Sequence, residues 1–324
     1  MKAIVIDRYG TPDVLRLAEV DRPTPGEEQV LVQVKASSVN PFDWHFLTGE
    51  PKLFRPAFGG LRKPKHRILG ADFAGVVEEV GSAATQFAPG DEVYGLTDGG
   101  VYAEYLVANQ VTMAPKPEGL TFEEAAAIPL AGVTALQALR DKGTVGSGMK
   151  VLINGASGGV GTFAVQIAKD MGAEVTGVCS TRNLDLVGAL GAHHVIDYTV
   201  EDFTRSDRRY DFILDNVGNR SVTAYRRSLT PRGTYLASHG QPEHRWLGPL
   251  WFIARMAAAN LLTRRKLTTF VTSQSADDLR YLAEMAETGT LKPVVDRVFP
   301  LAEVPDAFRY LEAWHARGKV VVSI

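Results

Sequence analysis

A chain of 324 residues exceeds the usual size of one domain, so two folding units are expected, each with enough apolar material for a core. Its 35 Lys plus Arg nearly balance 37 Asp plus Glu, which leaves no strong field to attract nucleic acid, an anionic membrane or an acidic partner; small molecules are the expected ligands. One cysteine, Cys179, excludes an intrachain disulfide and a cysteine-built zinc knuckle.

The opening MKAIVIDRYG lacks the regions of a secretory signal and no apolar run is long enough for a bilayer, so a soluble cytoplasmic protein is expected. To about Ala114, short β-type runs are broken by Gly and Pro: EQVLVQVKASSV, FAGVVEEVG, DEVYGL and YAEYLVA predict strands of a β-rich unit. The segment GLTFEEAAAIPLAGVTALQAL predicts a helix by its Ala and Leu content and by the Thr121/Glu124 capping pair. The texture then becomes strand, helix, strand: KVLING, EVTGVC, HVIDY, YDFILDNVG and GTYLASHG are short apolar runs separated by helix-length segments. They predict a parallel, doubly wound α/β sheet. Past Leu291 the opening texture returns, which predicts that the C-terminus rejoins the first unit.

The run KVLIN leads into Gly155-Ala156-Ser157-Gly158-Gly159-Val160-Gly161 and then a helix, TFAVQIAKDMGA. Glycines in that context let the backbone turn sharply and approach a pyrophosphate, whose charge is met by free N–H groups and the dipole at the helix start. Two registers fit, Gly159-x-Gly161-x-x-Ala164 and Ala156-x-Gly158-x-x-Gly161; the second puts the turn directly after the strand and is adopted. An acidic residue after the next strand would bond a ribose 2′-hydroxyl and repel a 2′-phosphate. Ser180, Thr181 and Arg182 stand there instead, a guanidinium and hydroxyls suited to the phosphate, so NADP is expected over NAD. Tyr198, ending HVIDY, is a further candidate for the adenosine end, with rim packing as the equal alternative.

These motifs and their order, LGADFAGVVEEVG, PGDEVYGL, AAAIPLAGVTALQAL, GASGGVG and a closing GKVVVSI, resemble the medium-chain dehydrogenase/reductase superfamily over nearly the whole chain, and within it the zinc-independent quinone oxidoreductase (zeta-crystallin-like) branch. The resemblance implies a GroES-like β-rich catalytic domain, residues 1–125 completed by 290–324, and a Rossmann cofactor domain, 126–289, with a cleft between them and a homodimer. Zinc-dependent members carry cysteine where this chain has Asn40, histidine where it has Ala71 and cysteine near Leu130. Asn is a poor zinc ligand and Ala and Leu are none, so no metal is expected.

Without a metal the acceptor must already be electrophilic, such as a quinone or a carbon–carbon double bond conjugated to a carbonyl, and the charge developing on its oxygen needs a donor or a proton. Asn40 is the candidate donor, to that oxygen or to the cofactor ribose. Asp43 orders its loop or caps a helix, and His45 is the candidate proton donor or relay, with packing at the cleft wall as its alternative. On the cofactor side the resemblance brings Thr134 to the nicotinamide half, while Asn216, Val217 and Gly218, and Ser238, His239 and Gly240, end the fourth and fifth strands where ligands of open α/β sheets sit. Lys319 approaches the cofactor or is a solvated strand-end lysine, and Cys179 is a small buried hydrophobe.

Two stretches depart from the compact form of the branch. Residues 50–70, rich in Pro, Gly and basic groups, are expected to wall the substrate with Phe54 and Phe58; the apolar 244–267 segment is read as a lid or a dimer contact before shallow membrane attachment. The function expected is NADPH-dependent, metal-free reduction of a quinone or activated enone. The alternatives are an NADP-linked alcohol or aldehyde oxidoreductase and a weakly catalytic NADPH-binding redox sensor.

Overall fold

The structure, a computed structural model, describes residues 1–52, 55, 60–238, 254, 256–258, 260, 264–313 and 316–324. Two compact units divide the chain, residues 1–133 with 273–324 and residues 134–272.

The first unit is built from β1 (Lys2–Val5), β2 (Arg16–Glu19), β3 (Gln29–Val39), β4 (Asp72–Val80), β5 (Glu92–Leu96), β6 (Tyr105–Asn109) and β7 (Met113–Pro115), joined by β14 (Val295–Pro300) and β15 (Lys319–Ser323). Among the described residues a seven-stranded sheet runs β14, β15, β3, β4, β5, β7, with β6 also paired to β3. The VLVQV run of β3 supplies Val30, Val32 and Val34 to a core shared with Phe73, Val77, Val93, Leu106 and Met113. Register on β3 then decides what meets at its end. Asp72 lies opposite Ser38, and Val320 lies opposite Val39, so Lys319 comes alongside Asn40. A helix begins just there, Pro41–Thr48, with Pro41 in its first turn, where a missing N–H costs nothing.

The second unit carries β8 (Lys150–Asn154), β9 (Glu174–Cys179), β10 (His194–Asp197), β11 (Tyr210–Asp215), β12 (Leu229–Ala237) and β13 (Lys266–Thr269). They form a parallel sheet in the order β10, β9, β8, β11, β12, β13, the doubly wound arrangement expected. Central β8 and β11 carry short apolar runs, Val151–Ile153 and Phe212–Leu214, because both of their faces are buried. Strand order reverses between β8 and its neighbours β9 and β11, which opens a crevice at the carboxyl ends of these strands.

Three expectations are revised. The single helix expected around residues 119–139 is two, Phe122–Ala126 and Pro129–Gln137, because Pro129 cannot donate to the preceding turn. Its start is as read, with Thr121 N donating to Glu124 Oε2 at 2.9 Å and Glu124 N to Thr121 Oγ1 at 3.2 Å. The expected boundaries at 125/126 and 289/290 fall instead at 133/134 and 272/273: helix Phe122–Ala126 packs on β3 and β4, while helix Ala276–Glu287 packs on β7 and receives the Tyr94 hydroxyl at Leu279 O, 2.5 Å. The apolar segment 244–267 lies largely outside the described residues, but Met256 and Leu267 belong to the core of the second unit and Lys266 opens β13. Of that described part Met256 and Leu267 are buried, while Ala254, Ala257, Ala258, Arg264 and Lys266 are exposed. Phe54 and Phe58 lie outside the described residues. Among the described residues no helix is long and apolar enough to cross a membrane.

Candidate functional site

At the end of β3 in the first unit, five side chains form a buried polar cluster. Asn40, Asp43, Asp72 and Lys319 are 4%, 2%, 0% and 3% exposed, and Ser38 is fully buried. Buried charge is tolerated only when paired and hydrogen-bonded, and here each charge is. Asp72 Oδ2 accepts from Ser38 Oγ, from Asn40 Nδ2 at 3.0 Å and from Lys319 Nζ at 3.2 Å; its Oδ1 accepts from Leu130 N at 2.8 Å. Lys319 Nζ also donates to Asn40 Oδ1. Asp43 Oδ2 accepts Asn40 N at 2.8 Å, Tyr102 OH at 3.1 Å and, at the long distance of 3.4 Å, Asn40 Nδ2.

Asp43 therefore both orders the loop and caps helix Pro41–Thr48, two alternatives that the sequence left open. Burial, with the neighbouring Asp72 carboxylate, pushes its pKa up to about 7, only partly offset by the Asn40 N–H and Lys319. Burial and the same carboxylates raise Tyr102 well above an ordinary phenol. The alternative of a solvated Lys319 is corrected: β15 pairs inside the sheet, and register buries the ammonium between Asn40 and Asp72. His45 is half-buried, its Nδ1 2.8 Å from Glu50 O, a carbonyl that can only accept. Nδ1 then bears the proton and Nε2 is bare, and burial, by lowering the pKa, favours this neutral form.

The positions where zinc-dependent relatives carry ligands also meet here. Ala71 precedes Asp72, whose carboxylate holds both Asn40 and the Leu130 N–H. The Lys319 ammonium bonds two members of this group, Asn40 and Asp72.

In the second unit the expected cofactor residues gather at the carboxyl edge of the parallel sheet. After β8 the chain turns at Gly155, φ +79°, a left-handed conformation that favours glycine, and Gly155 N and Ala156 N donate to Val178 O of β9 at 3.1 and 3.0 Å. Gly161 is required by packing, since a Cβ there would lie 2.1 Å from Gly155 O. Gly158 precedes the helix Gly159–Asp170, so the N–H groups of Gly159, Val160 and Gly161 open that helix as donors to a phosphate. Ser157 Oγ accepts from Asn183 Nδ2 at 2.9 Å, and the same amide reaches Ser180 Oγ at 3.3 Å. Asn216 and Val217 follow β11, Ser238 follows β12 and Thr134 bonds Thr272, just past β13, at 2.7 Å. Among the described residues, Asn183 Oδ1 and Asn216 Oδ1 are buried without a hydrogen-bond partner, acceptors of the kind that ribose hydroxyls or a carboxamide satisfy. On these grounds the edge fits a dinucleotide. His239 and Gly240 lie outside the described residues.

Arg182 is exposed. Thr181 is committed elsewhere: its hydroxyl donates to Asp197 Oδ2 at 2.6 Å, because β10 ends directly beside it. Tyr198 is 46% exposed, a rim position. Cys179 is buried, and burial with nearby Asp197 pushes its thiol up to about 11, too high for a thiolate at neutral pH.

Asp72, Ser38, Tyr102, Asn183 and Asp215 were not singled out from the sequence. Asp72 and Asp215 carry a usable signal, an aspartate within or ending an apolar strand, where an unpaired charge would be costly. Asp215 Oδ1 accepts Asn154 Nδ2 at 2.8 Å and the N–H groups of Val217 and Gly218 at 3.1 and 3.0 Å, while Oδ2 accepts Tyr235 OH at 2.8 Å. One carboxylate thus fixes the turn after β11 to the end of β8.

Residues 26–118 match the family model described as an alcohol dehydrogenase GroES-like domain, and residues 190–322 match that described as a zinc-binding dehydrogenase. The chain is 35% identical over 361 residues to the mitochondrial NAD(P)H oxidoreductase RTN4IP1 of Mus musculus, covering 100% of this chain and 89% of that protein. It is 34% identical to the chloroplastic NADPH-dependent alkenal/one oxidoreductase of Arabidopsis thaliana, covering 99% of this chain and 79% of the relative. The quinone oxidoreductase structure from Coxiella burnetii superposes with a TM-score of 0.86 at 33% identity, covering 100% and 99% of the two chains.

Proposed function

Because the chain belongs to the medium-chain dehydrogenase/reductase superfamily, in its quinone oxidoreductase branch, and is an oxidoreductase of that family, we propose that it is an NADPH-dependent reductase of quinones or activated enones that works without a metal. The observation that carries the reading is that Asn40 and Ala71 stand at two metal-ligand positions and Leu130 near the third, and that Asn40 and the Leu130 N–H both bond Asp72, which also holds the Lys319 ammonium. Such a site polarises an acceptor by hydrogen bonding and charge, which suits a conjugated or quinonoid carbonyl, already electrophilic, better than a plain alcohol.

When bound, the nicotinamide cofactor supplies hydride to the acceptor. The turn Gly155–Gly161 holds its pyrophosphate on helix N–H groups, the Asn183 and Asn216 amide oxygens take ribose or carboxamide donors, and Arg182 with Ser180 grips the 2′-phosphate. Ala156, Val217, Ser238, Thr134 and Tyr198 line the same edge. On the acceptor side Asn40 Nδ2 donates to the carbonyl oxygen as negative charge develops there. Asp43 holds the Asn40 backbone in place, and His45, through bare Nε2, passes a proton between solvent and product.

The test is where the hydride lands. With NADPH deuterated at the transferring position and a 2-alkenal, mass spectrometry is expected to find deuterium on the carbon β to the carbonyl. Deuterium on the carbonyl carbon would instead make the protein an alcohol or aldehyde oxidoreductase.

A further inference from the structure

Asn40 has a side chain whose two ends are chemically distinct, and each is held by a group that accepts only one of them. An ammonium can only donate, so Lys319 Nζ fixes Oδ1; a carboxylate can only accept, so Asp72 Oδ2 fixes Nδ2 at 3.0 Å. The amide has one permitted orientation. Its second Nδ2 hydrogen faces Asp43 Oδ2 at 3.4 Å, the long limit of a hydrogen bond, and is the only weakly held polar hydrogen of that side chain. A cation on an amide oxygen draws charge from the nitrogen and strengthens its remaining N–H as a donor. Lys319 is 3% exposed, so water does not screen that effect.

We infer that Lys319, anchored by Asp72, is a positioning residue for the reaction: it acts through the Asn40 amide, fixing its orientation and polarising its more weakly held N–H toward the oxygen on which negative charge develops. This inference rests on the reading of Asn40 as the acceptor-side donor. It assigns to a buried lysine part of the electrostatic work that a metal does in the zinc-dependent relatives. Asp72 has the complementary part, keeping the ammonium from turning away while its own Oδ1 stays tied to Leu130 N.

A double-mutant cycle tests it. Lys319→Met is expected to lower kcat for a quinone or 2-alkenal by at least about tenfold, with KM for the acceptor and Kd for NADPH changed by less than about twofold, because a preorganised donor contributes mainly in the transition state. In an Asn40→Ala background, the same Lys319→Met change is expected to cost less than about twofold in kcat, since its route of action is gone. Lys319→Gln, which keeps a donor without the charge, is expected to behave as Lys319→Met and carries the test alone should the methionine variant not fold. Full kcat in Lys319→Gln or Lys319→Met, beside a lowered kcat in Asn40→Ala, overturns this inference and leaves the assignment of Asn40 intact. Independent, multiplying losses in the cycle overturn it as well. An unchanged kcat in Asn40→Ala overturns the assignment of Asn40, and this inference with it.

Discussion

Asp43 and Arg182 are the two side chains whose surroundings give the sharpest expectations. With a folded pKa of about 7, above the ordinary carboxylate value, Asp43 keeps a proton between about pH 4 and pH 7 that the unfolded chain has released. Its contribution to stability is therefore present at the acid end of that window and lost as pH rises through it. Denaturant unfolding at several pH values should show wild-type losing more stability than Asp43→Asn between those limits; equal slopes would contradict the assignment. Arg182→Ala should weaken NADPH by about 1.5–3 kcal/mol, the scale of a hydrogen bond to a charged group, and leave NADH nearly unchanged. Fluorescence titration with both cofactors checks it, and equal weakening would remove the argument for the 2′-phosphate. The Thr181 hydroxyl, already given to Asp197, is expected to matter less than Arg182.

At the scale of elements, the turn Gly155–Gly161 is shaped by the close approach of helix Gly159–Asp170 to the end of β8. Gly161→Ala would place a methyl 2.1 Å from Gly155 O, backbone that cannot swing aside. The variant should lose about 1–3 kcal/mol, the usual cost of overpacking, seen as a lowered Tm, and should bind cofactor more weakly. An unaltered Tm would mean that the turn relaxes freely. This element was legible in the sequence because glycine spacing between an apolar strand and an amphipathic helix has one physical meaning. The polar cluster at the end of β3 was legible only in part. Asn40 and Asp43 stood out beside each other in NPFD, whereas Lys319 and Asp72 reach them through antiparallel pairings of β15 and β4 with β3, and strand register is not written in local residue patterns. Helix Ala276–Glu287 was placed in the wrong unit for a similar reason: its amphipathic pattern shows that it packs, not upon which sheet.

For the molecule as a whole, alternating textures were enough to anticipate a β-rich unit, a parallel doubly wound sheet and a C-terminal return, since each follows from hydrophobic periodicity. Buried polar networks were not anticipated, because their signal is a polar residue in an apolar strand and its partner lies far along the chain, as with Asp215 and Tyr235. In the proposed function, a nicotinamide cofactor is held at the edge of the parallel sheet, and hydrogen bonding and charge around Asn40 take the part of a metal ion. The most direct test is the rate of NADPH oxidation with an ortho- or para-quinone, or a 2-alkenal, by protein whose metal content has been brought to below about one-tenth of an equivalent with a chelator. The account predicts an undiminished rate, with NADH much slower than NADPH at equal concentration. A rate that falls with metal content and returns when zinc is added would contradict it.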